Sequence, residues 1–229
     1  KNENVTLKKS QQIYGELKGL VSFWRTLPAV FLILLFGSAI YWTLSSLVGQ
    51  LAEPYYSHIG FNNVWVTVIF TAANLFAIFG NKLVGVVTRR VDFWLWIVLA
   101  PMIYACFIGL FMLSTVGATP EAVTMVMAIS ALLFGKILSG INEVMLDGKI
   151  MTMAPEKYKS TTLSTMETAM ALLLAILFPI LGVIQSHWGY LTMFGAHAGL
   201  FVLLGCAAMI WIKAKGNGLL EVENKGVSS

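Results

Sequence analysis

Residues 122–148 read AVTMVMAISALLFGKILSGINEVMLDG, an apolar run with Lys136 near its middle and Glu143 and Asp147 towards its end. Crossing the roughly 30 Å of bilayer hydrocarbon as a helix takes about 20 residues, so the run is long enough to span. A charge at the bilayer centre costs at least about 2.5–3.5 kcal/mol on the insertion scale, and such residues face a bundle interior or a wet cavity. Lys136, Gly140, Glu143 and Asp147 are spaced four, three and four apart, which sets them on one helix face.

Working outward, five further apolar stretches of spanning length occupy residues 27–51, 64–87, 93–114, 160–185 and 190–212. The expected fold is an all-α, polytopic membrane protein of six transmembrane helices. A basic, amphipathic segment (1–25) precedes the membrane domain (26–213), and a short tail (214–229) follows it. Hydrophobic residues make up 58% of the chain and charged residues 11%, against about 45–50% and about 25% for soluble domains. The formal charge of +4 is therefore no footprint of nucleic acid, because the basic residues gather at span ends.

Of fifteen Lys and Arg, all but Lys136 fall in segments that must share one side of the membrane. These are the chain before the first stretch, the Lys82–Arg90 region, the Lys149–Lys159 region and the residues after the sixth stretch. The loops at 53–63, 115–121 and 186–189 contain no Lys or Arg. By the positive-inside rule both termini are expected in the cytoplasm, in a bacterial inner membrane. Trp24, Trp94, Trp96 and Trp211 fit an inner aromatic belt; Trp65, Trp188, Tyr55, Tyr56 and Tyr190 fit an outer one. Trp42 is the outlier, inside the first stretch. Cys106 and Cys206 read as small packing residues, with no metal site or cofactor expected. The chain begins at Lys1 with no secretory leader pattern, so a fragment or half of a longer polypeptide is expected.

The ionisable residues of the membrane domain concentrate in two spans, as Lys136, Glu143, Asp147 and Glu167. Glu167 lies about 12 Å into the fifth stretch, at a depth between Glu143 and Lys136, within expected reach of either. Two readings stand. In one, Lys136 and Glu167 form an ion pair that fastens two helices. In the other, the charged face lines a water-filled cavity. There Lys136, with Trp42, Ser45, Asn74 and Gly140, contacts a polar or anionic solute, and Glu167, Glu143 or Asp147 exchanges a proton. Polar stripes on the first span (Ser38, Trp42, Ser45, Gly49), the second (Thr67, Thr71, Asn74, Asn81) and the fifth (Ser160, Ser164, Glu167) fit helix packing or cavity wall. His197, between Gly195 and Gly199, reads as a hydrogen-bonded core residue.

Ser139 and His197 sit on the spans that an intramembrane serine protease would use, but the nucleophile's G-x-S-G context is missing, so no catalytic residue is assigned. Channel filter motifs are missing as well. Gly80-Asn81-Lys82-Leu83, leading to Thr88-Arg89-Arg90, resembles a degenerate copy of the loop signature of the major facilitator superfamily, with Val84 where the family's Asp stands. The stretch from Met153 to Ser164 is similar to that family's Pro-then-basic approach to its eleventh helix. The resemblance covers nearly the whole chain and implies the C-terminal half of such a transporter, built from two inverted three-helix repeats. It also implies a second, N-terminal six-helix half, in the same polypeptide or another chain. The expected activity is proton-coupled transport of a small polar or anionic solute; a non-transporting receptor or scaffold on the same fold is the alternative.

Overall fold

The computed structural model describes residues 28–116 and 120–226, and side chains as far as residue 214. The amphipathic segment 1–25 lies outside the described residues, as do 117–119 and 227–229. The elements are α1 (Ala29–His58), α2 (Asn63–Val87), α3 (Phe93–Thr115), α4 (Glu121–Met153), a 3-10 turn (Glu156–Tyr158) and α5 (Lys159–Gly226).

These five helices are each long and apolar enough to cross a membrane, and no strand occurs among the described residues. Their outer surface agrees with an apolar solvent. Leu75, Val126, Leu172, Leu203 and Ile210 are all exposed, on α2, α4 and both ends of α5. An envelope this apolar is suited to lipid or to a partner, not to water.

Local signals set the helix starts. The Asn62 side chain accepts from Trp65 N at 3.0 Å, and Asp92 Oδ2 accepts from Trp94 N at 2.8 Å, capping α2 and α3. Pro28 and Pro120 precede α1 and α4, where their extended backbone suits the position before a helix. Gly60 turns the α1–α2 connection with φ of 98°, a left-handed conformation that costs glycine least.

The structure differs from the sequence expectation in three places. Helix α1 runs on to His58 through Pro54, beyond the expected end at residue 51. Tyr55 and Tyr56 therefore sit in the core and not in an outer aromatic belt. The Tyr55 and Ser114 hydroxyls share a hydrogen bond of 2.7 Å, and the Tyr56 hydroxyl donates to Ala128 O at 2.8 Å. Trp96, expected at the inner boundary, is likewise buried. The fifth and sixth stretches are not separated by a loop: α5 is helical throughout except at Gly189 (φ 79°, ψ 176°). Six separate helices are thus met only in part.

The two limbs of α5 run in opposite directions beside α1. In the first (159–188), Met166 packs with Phe31 and Leu35, while Gln185 and Trp188 meet the Tyr55–His58 end. In the second (190–226), Phe194 meets Tyr55 and Phe201 meets Tyr41. Helix α1 is central, packed against α4 and α5; α2 packs on α4, and α3 on α4 and α5.

Candidate functional site

The α2–α4 seam carries the charged stripe at its edge. A Cβ on Gly80 would run into the Ile137 carbonyl, and one on Gly140 would run into the Ala77 carbonyl. The two helices therefore touch backbone to backbone, the approach that small residues permit in membrane bundles. With its amide nitrogen facing α4, Asn81 donates to Gly140 O at 2.8 Å and Ala77 O at 3.3 Å. Gly80 and Asn81 lie inside α2, so the stretch expected as a loop signature serves as a helix crossing; the turn itself begins at Thr88.

Beside this seam, Lys136 and Asp147 are half-buried and Glu143 is exposed. Glu143 acts electrostatically on both. Along the axis Lys136 and Glu143 are about 10 Å apart, at about 1.5 Å per residue. Asp147 Oδ1 is buried with no hydrogen-bond partner, an arrangement that is costly for a carboxylate. The stripe thus offers one cation and two carboxylates on a helix edge that the bundle covers only in part. An arrangement of this kind can hold an anionic group at Lys136 and exchange protons at the carboxylates.

Glu167 does not join them. Beyond the turn that connects them, α4 and α5 form no packed pair, because α1 fills the space with Phe31, Leu34, Leu35 and Ala39. Glu167 is exposed, and among the described residues no ion pair links it to Lys136. The expected helix-fastening pair is replaced by apolar packing. Neighbouring positions of α5, Ser160, Ser164 and Thr168, line with Phe36 a groove of about 580 Å³ that does not include Glu167.

The other expected contacts scatter. Gly140 is covered by α2 and lines no open surface. Ser45 is buried, its hydroxyl donating to Trp42 O at 3.2 Å within α1. Trp42 is half-buried, and Asn74 is exposed on α2 with Thr67 and Thr71, so of that stripe only Asn81 packs against the bundle. His197 is fully buried; Nε2 donates to Leu44 O at 2.9 Å and the ring stacks on Phe201.

Sequence reasoning missed Asn142 and Tyr41, and read Ser38 only as part of a stripe. Asn142 Oδ1 accepts from Trp96 Nε1 at 3.0 Å, joining α3 to α4. A lone Asn in an apolar run was the available signal, overshadowed by the charges around it. No family model matches this chain, and no curated protein or solved structure matches it.

Proposed function

We propose that this chain is one half of a secondary transporter that moves a small polar or anionic solute by alternating access, coupled to protons. The observation that carries the reading is the stripe of Lys136, Glu143 and Asp147, left partly uncovered on a helix of spanning length. Charges in that position need water or a second protein surface, and a half-transporter supplies both at the interface of its two halves. In this reading α5 crosses twice, turning at Gly189, which makes six crossings with both termini in the cytoplasm of a bacterial inner membrane.

The parallel courses of α1 with α3, and of α2 with α4, fit the major facilitator architecture of two inverted three-helix repeats. Lys136 is the solute contact. Asp147, with its unpartnered oxygen, is favoured over Glu167 as the titrating group, and Glu143 couples the two. Partner and substrate come from this reading: a second six-helix half and a small anionic solute.

The test uses the full-length protein in vesicles loaded with a pH-sensitive dye, challenged with a panel of small organic anions. Wild type should take up at least one of them with protons. Lys136→Ala should abolish uptake, and Asp147→Asn should leave uptake that no longer depends on pH. If both variants match wild type in flux and pH profile, the stripe is not the transport site. If no solute moves in the wild type, the transporter reading itself fails.

A further inference from the structure

Between α1, α3, α4 and the second limb of α5 lies a pocket of about 410 Å³; it shares no lining residue with the Lys136 stripe, although Asn142 and Leu146 adjoin Glu143 and Asp147 along α4. Its walls are mostly aliphatic, including Ile33, Ile97, Leu146 and Leu204, and no charged residue lines it. Three lining residues are polar and at most 3% exposed: Ser38, Tyr41 and Asn142. Ser38 Oγ, Tyr41 OH and Asn142 Nδ2 all lack a hydrogen-bond partner.

Each buried unsatisfied group costs about 1–3 kcal/mol, and native structures hold only a few. Three on residues that line a single pocket point to a ligand site better than to three separate defects. Asn142 adds direction. Trp96 Nε1 occupies its oxygen, which leaves the amide nitrogen as a committed donor. The hydroxyls of Ser38 and Tyr41 can also donate. Gly37 lines the pocket too, and a Cβ there would meet nothing within 4 Å. At the pocket's edge Ile33 and Phe36 are 42% and 48% exposed, so the way in is apolar.

We infer that this pocket binds a neutral amphipathic molecule, an apolar ring or chain bearing an oxygen that accepts hydrogen bonds from Asn142 and Tyr41. An acid would be disfavoured, since no cation lines the site to offset its charge. The chemistry is shared by soluble ketones and esters and by the ester region of a membrane lipid. The inference is independent of transport, because it concerns binding within one half and uses none of the charged residues.

The probe is prodan, a neutral naphthalene ketone, titrated into the full-length protein in phosphatidylcholine nanodiscs and counted by native mass spectrometry. Saturable binding of one prodan per chain is expected, with weaker binding of the analogue that lacks the ketone. Tyr41→Phe, which keeps the ring, should weaken binding by about 2–10-fold, the net worth of one hydrogen bond. Gly37→Leu should fill the space and abolish saturable binding while the protein stays folded by thermal melting.

Replacing the lipid with its ether-linked analogue separates the two sources. Tighter prodan binding there means that lipid esters compete for the pocket; unchanged binding means a soluble ligand. Unsaturable partitioning, equal in wild type and Gly37→Leu, would overturn the proposal. So would prodan binding indifferent to both Tyr41→Phe and loss of the ketone, which would leave a water-filled void only.

Discussion

Helix α4 meets α2 through the absence of side chains, whereas α3 meets the second limb of α5 through the largest ones. At the α2–α4 seam Gly80 and Gly140 let carbonyls approach where a methyl group has no room. At the other seam Tyr104 stacks on Phe201 with centroids 4.6 Å apart, Phe111 stacks on Phe194 at 4.9 Å, and Trp94 meets Trp211 at 5.8 Å. Within a bilayer the hydrophobic effect does not drive helices together, so close packing and interhelical hydrogen bonds must. The glycine seam gains close backbone contact and keeps a charged edge; the aromatic seam gains dispersion and holds only neutral polar groups. The charges border the first; the second takes in neutral polar groups, some hydrogen-bonded, such as Nε2 of His197 and the Tyr55 hydroxyl, and some not, such as Nε1 of Trp94.

The comparison can be broken from either side. The largest effect is expected at the aromatic seam, where Phe111→Ala removes a ring that touches Tyr55, Tyr56 and Phe194. A loss of about 3–5 kcal/mol should appear as a large drop in melting temperature in detergent. A drop too small to measure would mean that the stacked rings are ornamental.

Next comes a matched pair of glycine substitutions. Gly80→Ala puts a methyl group against the Ile137 carbonyl and should cost about 1–3 kcal/mol. Gly37→Ala enters open space and should be neutral or stabilise by up to about 1 kcal/mol. Equal melting shifts for the two would show that helix propensity, and not the seam, sets the response. The smallest destabilisation is that of Tyr55→Phe. It removes one interhelical hydrogen bond, worth about 0.6 kcal/mol in membrane helices, and leaves Ser114 bonded to Phe111 O at 2.7 Å. A melting shift as large as that of Phe111→Ala would mean that this polar contact, and not ring packing, holds the aromatic seam.

Much of the fold was legible because helices of spanning length write themselves in simple patterns. Long apolar runs and polar breaks gave α2, α3 and α4 within a few residues. The end of α1 was not legible, since Glu53, Pro54 and His58 look like loop residues until Tyr55 and Tyr56 find buried partners. Of the candidate site, the α4 stripe follows from helical spacing alone. The partner assigned to it does not, because two spans at equal depth need not be neighbours. Gly140 shows the same limit from the other side: it shares the stripe's face by spacing, yet α2 covers it.

By itself, then, the sequence determined the apolar helices and the charged edge of α4, because both depend on short-range periodicity along one chain. Only the tertiary structure decided that α1 separates Glu167 from Lys136, and that Ser38, Tyr41 and Asn142 meet around one pocket. Those outcomes depend on which helices become neighbours, and neighbour choice is set by side-chain volume and backbone approach across the bundle.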